Sequence, residues 1–167
     1  NARQVVEHLR SDTVVTDGGS VKAEVVRDCE SILGGRFVGS HPIAGTEDSG
    51  AAAADAALFQ NAVCVVTPTP QSSPEAVMLV RQFWDALGMR LIEMEPAAHD
   101  RALAVTSHLP HLLAFALAGV GAGERGALED LIGPSFRDMT RIAASSSEMW
   151  RDILLANASA LSDVAGR

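Results

Sequence analysis

The chain has 167 residues, of which 47% are hydrophobic and 20% charged, and its net charge at pH 7 is -8. This length and hydrophobic content allow a buried core, as one domain or as two pieces of a larger protein, and they exclude a disordered chain. The negative net charge argues against a nucleic-acid or anionic-membrane partner, because phosphate groups bind to clustered Lys and Arg.

Lysine and cysteine usage indicate how the protein would bind an anion and in which compartment it resides. Lys22 is the only lysine among 13 basic residues, so arginine would hold most of an anionic substrate. Cys29 and Cys64 show no CxxC spacing, which indicates free thiols in a reduced cytoplasm. No uninterrupted apolar run approaches the ~20 residues that span a bilayer, and no signal peptide is visible. We therefore expect a cytoplasmic protein without a membrane partner.

The first part of the chain alternates strand patterns with helix patterns. Strand patterns are short apolar runs that end at small or polar residues, and helix patterns repeat apolar residues every 3.6 positions. This alternation is typical of parallel βαβ units. In chain order the sequence predicts a helix over 2–9, a strand over 13–16, a helix after Ser20, a strand over 37–42, a loop with a short helix over 45–57, a strand over 62–67, a helix over 75–87 and a strand over 89–94.

The pattern changes near Glu95, and only helical periodicity follows. Apolar runs with a 3.6-residue period continue to the end of the chain, with predicted breaks at 119–121, 133–134 and 145–147. Ser145 and Glu148 have the spacing of a capping box that would start the last helix. The sequence therefore predicts an α/β part over 1–95 and an all-helical part over 96–167.

Two predicted strand ends carry candidate functional residues, because ligands of open parallel sheets bind beyond the carboxyl ends of the strands. Asp17-Gly18-Gly19-Ser20 follows the first strand, where free backbone N–H groups can face an anion. The simpler interpretation is a turn in which Ser20 caps the next helix. His41 ends the second strand, and its imidazole would lie within hydrogen-bonding reach of the Ser20 hydroxyl.

A polar stripe marks the helix that begins near Ala97. Its members share one helical face, whereas the rest of the segment is apolar. Buried polar groups need partners, so such a stripe favours the wall of a ligand cavity. Pro110 would kink this helix and open the cavity. The stripe consists of Asp100, Ala104, Ser107, His108 and His111.

The same stripe also has to be weighed as a metal site or a hydrolase site. His108 and His111 do not have the i, i+4 spacing of the His pair in helical zinc sites. No further His or Cys follows at a spacing typical of metal ligands, so we predict no metal. Ser107 and His108 diverge on a helix, and no Gly-x-Ser-x-Gly elbow is present, which argues against a serine hydrolase.

Five segments resemble, in order, the motif series of prephenate dehydrogenases. They run from Thr16 to Trp150 and so cover nearly the whole chain. Together they identify the chain as a relative of that family. The segments are 17–22, 41–50, 99–100, 107–111, and 136–143 with 149–151.

The resemblance implies a fold and a reaction. The fold would be α/β followed by all-α: residues 1–95 are the remnant of a Rossmann-like parallel sheet that binds a dinucleotide, and residues 96–167 form a helical domain for substrate binding and dimerisation. The active site would lie between the two domains. The reaction would be oxidative decarboxylation of prephenate to 4-hydroxyphenylpyruvate in tyrosine biosynthesis, with hydride transfer to NAD or NADP, in a homodimer.

The resemblance also implies roles for single residues. His41 would hydrogen-bond the substrate hydroxyl and accept its proton, which suits an imidazole because the ring ordinarily titrates near pH ~6.5. Ser20 would hold this arrangement. The other implied roles are substrate carboxylate binding by His111 and Arg141, a pocket lined by Asp100, Ser107, His108, Thr46 and Glu47, and cofactor contacts from Asp17, Gly19 and Ser20.

The sequence departs from the family pattern at its start. The Gly-x-Gly-x-x-Gly fingerprint and the residue that selects NAD or NADP are absent from these residues. We therefore interpret the chain as a fragment or proteolysed form of the enzyme. These 167 residues alone are expected to show little or no dehydrogenase activity.

Three alternatives stay open at the level of sequence. The substrate could be arogenate, which carries an amino group where prephenate has a keto group. The chain could also be a non-catalytic dimerisation module of the same fold, although Ser20, His41, His111 and Arg141 are all present. A dehydrogenase of the 6-phosphogluconate type would need a lysine in the helical part, and no lysine follows Lys22.

Overall fold

The structure is a computed structural model that describes residues 2–45, 54–55, 57–124, 126 and 129–166. The chain divides into two compact units, Asn1–Asp100 and Arg101–Arg167. The predicted α/β part followed by an all-helical part is confirmed. Thr46, Glu47 and most of the predicted loop over 45–57 lie outside the described residues.

The first unit is built on a four-stranded sheet in the order β1-β2-β3-β4. β1 and β2 are parallel, as are β3 and β4. The predicted helix over 75–87 is confirmed, and the Ser73 side chain caps it by accepting a hydrogen bond from the Ala76 N–H. The elements are α1 Ala2–Val5, β1 Val15–Thr16, α2 Ala23–Leu33, β2 Phe37–Ile43, β3 Val63–Thr67, α3 Pro74–Ala86, β4 Arg90–Glu93 and α4 Pro96–Leu103.

The expectation of a fully parallel sheet is wrong at the centre, where β2 and β3 run antiparallel with His41 opposite Val65. The reason is the connection between the strands. Parallel neighbours need a crossover that covers one face of the sheet, and α2 and α3 provide it for the two parallel pairs. The sequence over 44–62 has no such broad amphipathic pattern, so the chain returns alongside β2 in the opposite direction.

The core of this unit lies on both faces of β2. Phe37 packs with Val26 and Leu33 of α2, whereas Val38 packs with Val80 and Trp84 of α3. Successive strand residues point to opposite faces, so α2 and α3 cover opposite sides of the sheet. The first five residues of β2 are therefore buried.

The second unit is helical throughout its described residues. The predicted break at 119–121 is wrong, because α5 continues to Gly123. Gly121 allows close packing: a Cβ at this position would lie 2.6 Å from Cζ of Phe136 in α6. The α-helices are α5 Leu109–Gly123, α6 Pro134–Thr140, α7 Ser147–Ala156 and α8 Ala158–Ala165, with 3-10 turns at Glu129–Leu131 and Arg141–Ala144.

One local prediction about a helix end needs correction, whereas the predicted kink at Pro110 stays a prediction. Pro110 lies in the first turn of α5, directly after a π-helical turn, Ala104–His108. The cap of α7 is Ser146, whose side chain accepts a hydrogen bond from the Met149 N–H. The predicted capping serine, Ser145, is one residue too early, because the helix begins at Ser147.

The helical run Pro96–Gly123 is long and apolar enough, by length and composition, to cross a membrane. The expectation that no segment meets this test is therefore wrong. A window average tolerates the polar residues that interrupt this run, whereas a search for uninterrupted apolar residues does not. The run contains His108, Pro110 and His111. One such helix is weak evidence for a membrane protein, since core and interface helices have the same composition.

Candidate functional site

The end of β1 and the middle of β2 lie side by side and carry a polar cluster. β1 pairs with β2 only as far as Thr16 and Val38, so β2 runs on past the turn that begins at Asp17. Asp17 Oδ1 accepts a hydrogen bond of 3.0 Å from the Ser40 N–H, and its Oδ2 accepts one of 2.9 Å from the Gly19 N–H. These bonds hold the turn after β1 beside β2, but β2 continues to Ile43, so His41 does not end its strand as predicted. Within the described residues the His41 ring contacts His99, and its predicted hydrogen bond to Ser20 stays a prediction.

Lys22 is fully buried beside this turn. Its ammonium group donates to the Asp17 carboxylate and, at 2.9 Å, to the Ser40 carbonyl. Burial lowers the pKa of Lys22, and the negative charge of Asp17 opposes that effect. A buried lysine needs such a partner, so Asp17 and Lys22 form one internal ion pair.

Ser40 ties three elements together. Its hydroxyl lies 2.8 Å from the Thr16 hydroxyl and accepts a hydrogen bond of 2.9 Å from the Trp84 indole N–H. Ser40 is fully buried. These bonds join β1, β2 and α3 one residue before His41 in the strand. The sequence did not single out Ser40, because its partners are distant along the chain.

His41 belongs to a row of three buried side chains. Its Nδ1 lies 2.8 Å from Nε2 of His99, and Nδ1 of His99 lies 2.8 Å from Oδ1 of Asp100. The rings of His41 and His99 meet edge to face with centroids 5.0 Å apart. His99 is 0% exposed and Asp100 is 4% exposed. The row His41-His99-Asp100 therefore runs through the interior of the first unit.

Asp100 also caps α2. Its Oδ1 and Oδ2 each accept a hydrogen bond of 2.8 Å, from the backbone N–H groups of Lys22 and Ala23. Burial would raise the pKa of Asp100, but the hydrogen bonds from His99 and from these two N–H groups outweigh it and lower the pKa. The carboxylate is therefore the stable form at neutral pH.

These bonds correct two expectations about the turn after β1. Ser20 does not cap α2, because the helix begins at Ala23 and receives its cap from Asp100. The backbone N–H groups of Gly19, Lys22 and Ala23 are not free for an anion, since carboxylates of the same unit already accept them. Ser20 itself is half-buried, and Gly18 and Gly19 are exposed.

The predicted residues of the helical unit form a second cluster around Trp150. The His111 ring stacks on the Trp150 ring with centroids 3.5 Å apart, and the His108 ring meets it edge to face at 6.1 Å. Nδ1 of His108 lies 2.8 Å from the Asn157 amide, and Nδ1 of His111 lies 2.9 Å from the Ser107 carbonyl. Both histidines are thereby fixed in orientation.

Burial differs among these helical residues. His108 is 1% exposed, which suits a structural side chain, whereas His111 and Ser107 are half-buried. Arg141 is exposed and begins the turn Arg141–Ala144. Asn157 and Trp150 are the two partners that sequence reasoning missed, although Trp150 lies inside a quoted motif.

Metal ligands and cavities add little to these two clusters. Within the described ranges no group of three or more His, Cys, Asp and Glu side chains is arranged to hold a metal ion. A cavity of about 370 Å³ runs along α2 and includes Arg27, Glu30 and Thr69. The Thr69 hydroxyl donates to the Glu30 carboxylate. Among described residues, none of the predicted site side chains lines this cavity.

Comparison with known proteins gives the same family for both parts of the chain. Residues 1–93 match the nucleotide-binding domain model of prephenate dehydrogenase, and residues 95–166 match its dimerization domain model. The chain is 39% identical over 158 residues to a cyclohexadienyl dehydrogenase of Zymomonas mobilis, covering 92% of this chain and 54% of that protein. It is 38% identical over 161 residues to a prephenate dehydrogenase of Bacillus subtilis, and the match covers 93% of this chain and 43% of that protein.

A solved structure agrees with these matches. The prephenate dehydrogenase of A. aeolicus, in complex with hydroxyphenyl propionate and NAD+, superimposes with a TM-score of 0.92 at 40% identity. The match covers 99% of this chain and 59% of that one. The chain thus spans about half the length of the curated relatives it matches.

Proposed function

Since this chain belongs to the prephenate dehydrogenase family, we propose that the complete protein catalyses the oxidative decarboxylation of prephenate to 4-hydroxyphenylpyruvate with reduction of NAD or NADP. The observation that supports this proposal most is the buried row His41-His99-Asp100. It ends in an imidazole on a β-strand, beside a turn with two exposed glycines. Prephenate is the proposed substrate, and the route is tyrosine biosynthesis.

His41 is the proposed general base. It accepts the proton of the ring hydroxyl while hydride leaves the same carbon for the nicotinamide. The bond between the ring and its carboxylate then breaks, carbon dioxide leaves, and the bonding electrons make the ring aromatic. The proton returns from His41 to the phenolate oxygen, so the enzyme ends the cycle in its starting state.

The remaining predicted residues receive supporting roles. His111 and Arg141 bind the substrate carboxylates, because a positive guanidinium supplies local attraction in a chain of net charge -8. Ser20 orients the base and the cofactor. The further proposed pocket residues are Thr46, Glu47 and Ser107, with the buried Asp100 and His108 supporting the pocket from the interior. The proposed cofactor contacts are Asp17, Gly19 and Ser20.

The turn after β1 fits a dinucleotide in part. Gly18 and Gly19 are exposed and carry no side chain, so a flat ring can approach the backbone there. The Asp17 carboxylate is engaged by Lys22, Gly19 and Ser40, so we give it the role of shaping this turn. When bound, NAD or NADP would supply the hydride acceptor.

We also propose a cytoplasmic homodimer with residues 1–95 as nucleotide-binding part and 96–167 as dimerisation part. The dimerization domain match and the exposed apolar side chains of the helical unit support the dimer. The two free cysteines suit a reducing compartment. The apolar side chains are Val105, Leu112, Leu113, Val120, Leu131, Met139, Met149 and Leu155.

The test uses the full-length gene product. Prephenate and arogenate are each supplied with NAD and with NADP, and reduced nicotinamide and carbon dioxide are measured together. We expect prephenate-dependent reduction with equal release of carbon dioxide. Turnover of arogenate would assign the second candidate, which the cyclohexadienyl dehydrogenase relative favours. Reduction of neither cofactor with either substrate would contradict the proposal and favour a non-catalytic dimerisation module.

A further inference from the structure

His99 and Asp100 have contacts that a wall of a substrate pocket would not need. Both oxygens of Asp100 are occupied by hydrogen bonds from its own unit, and His99 lies fully buried between Asp100 and His41. We propose that His99 and Asp100 are positioning residues that fix the tautomer of His41 and attach its ring to the first turn of α2. This inference rests on the proposed function of His41 as base.

The hydrogen bonds determine where the protons lie. An ionised carboxylate only accepts hydrogen bonds, so Asp100 requires a proton on Nδ1 of His99. In a neutral ring the other nitrogen carries none, so Nε2 of His99 accepts and Nδ1 of His41 donates across 2.8 Å. A neutral His41 then has its unprotonated nitrogen at Nε2. That nitrogen is the atom that takes the substrate proton.

The same row stabilises the charge that forms on His41. When His41 gains a proton, its Nδ1–H bond points through His99 toward the Asp100 carboxylate, which compensates the positive imidazolium as in other carboxylate-histidine systems. His99 and Asp100 are buried, so these bonds are screened little by solvent.

Among the described residues, two further ionisable groups lie close to His41, a lysine and a thiol. Lys22 is paired with Asp17. Burial raises the pKa of the Cys64 thiol on β3 to about 11, so this group stays neutral at working pH. Within the described ranges, Asp100 is therefore the carboxylate that is connected to His41 through His99.

A purely structural role is the competing explanation, because Asp100 caps α2 and His99 fills the interior. Both explanations predict loss of stability on substitution. They differ in the pH profile, since a cap does not change the proton affinity of the base. The experiment therefore has to measure ionisation as well as stability.

The variants are made in the full-length enzyme. Asp100→Asn places an amide beside His99 that can donate to Nδ1 and so reverse both tautomers. His99→Gln keeps an oxygen that can accept the His41 Nδ1–H, whereas His99→Leu keeps none. Val80→Ala is the matched control, because it opens the buried core at α3 without changing a polar group. Rates with prephenate are measured across pH, together with thermal unfolding.

We expect kcat to fall about 10²-fold to 10⁴-fold in Asp100→Asn and His99→Leu, with KM changed less than about threefold. The acidic limb of kcat/KM should move to lower pH, since the imidazolium loses its compensating charge. His99→Gln should recover part of kcat. Val80→Ala should lower only the unfolding temperature. Loss of kcat with an unmoved limb in every folded variant, or rates that match Val80→Ala, would overturn the inference.

A measurement on the unsubstituted protein tests the inference even if the variants do not fold. Long-range proton-nitrogen spectra of the full-length protein labelled with ¹⁵N-histidine report which ring nitrogen carries the proton. We expect protons on Nδ1 of both His41 and His99, and a proton on Nε2 of neutral His41 would overturn the inference. Failure of the proposed function would appear differently, as absence of turnover in the unsubstituted enzyme.

Discussion

Asp100 shows how one side chain can set both a helix start and a site. It lies 78 positions from Lys22 and 77 from Ala23, yet it accepts both of their N–H groups. Its neighbour His99 bonds to His41, 58 positions away. The sequence marked Asp100 as a polar residue on a helix, but no local pattern could reveal partners at this separation.

Asp100 should make stability depend on pH. Its folded pKa is lowered from 3.8, so its contribution to the free energy of unfolding is present above pH 3.8 and is lost as pH falls through the folded value. At neutral pH we expect Asp100→Asn to destabilise the protein by about 2 kcal/mol, because the amide NH2 replaces one carboxylate oxygen and leaves a buried N–H of the first turn of α2 without an acceptor. Urea unfolding should show this difference shrinking below pH 3.8.

The control for Asp100 is Asp152→Asn. Asp152 is an exposed carboxylate paired with Arg151, so its substitution should change the free energy of unfolding by less than about 1 kcal/mol at any pH. A difference between Asp100→Asn and the unsubstituted protein that stays constant into acid would contradict the assigned ionisation.

The buried Cys64 and the half-buried Cys29 give a second prediction at this scale. Burial raises the pKa of Cys64 to about 11 from 9.0, and Cys29 is raised in the same direction for the same reason. The thiolate is the reactive form, so at mildly alkaline pH Cys64 should resist alkylation and Cys29 should react slowly.

Peptide mapping after timed alkylation measures both sites, and the urea-unfolded protein serves as control because both thiols should then react quickly. The stability that the protonated Cys64 contributes is complete below pH 9.0 and declines as pH rises toward about 11. Rapid labelling of Cys64 in the folded protein would show that β3 opens or that the strand is not buried.

At the scale of elements, the cap of α7 separates two neighbouring serines. Ser146 accepts a hydrogen bond from the Met149 N–H, whereas Ser145 precedes the helix. Ser146→Ala should lower the free energy of unfolding by about 1 kcal/mol, because an N–H of the first turn loses its acceptor. Ser145→Ala is the matched control and should be near neutral. Equal effects, measured by urea unfolding, would contradict the assignment of the cap.

Two glycines of α5 form another matched pair. A Cβ on Gly121 would meet the Phe136 ring at 2.6 Å, whereas at Gly119 the described residues leave the space open within 4 Å. Gly121→Ala should destabilise the protein by about 1 to 3 kcal/mol through overpacking. Gly119→Ala should stabilise it by up to about 1 kcal/mol through helix propensity. The reverse order of unfolding temperatures would place α6 elsewhere.

Elements with strong local signals were predictable. Helix α3 has a capping Ser73, Pro74 in its first turn and an apolar face, and Gly88 follows at a φ of 80° that glycine tolerates. The direction of β3 was not predictable in this way, because periodicity is the same in parallel and antiparallel strands. The helix through Gly119 and Gly121 was missed because Phe136, 15 positions after Gly121, decides that contact.

At the scale of the whole molecule, some site residues are predictable from sequence motifs, whereas others are recognised only from their contacts in the folded protein. His41, Asp17 and His111 were identified from their motifs, and the structure gives His41 and His111 fixed orientations. Ser40, His99 and Trp150 were not assigned roles, since each acts through a partner far away in sequence. The roles of the site residues in catalysis stay predictions.

The most direct test of the central claim is the turnover of prephenate by the full-length enzyme in which His41 is replaced by Asn. His8→Asn, at an exposed histidine, is the control. We predict that His41→Asn lowers kcat by about 10²-fold to 10⁴-fold with little change in substrate binding, and that His8→Asn has no effect. A His41→Asn enzyme that keeps the unsubstituted kcat would contradict the assignment of His41 as base.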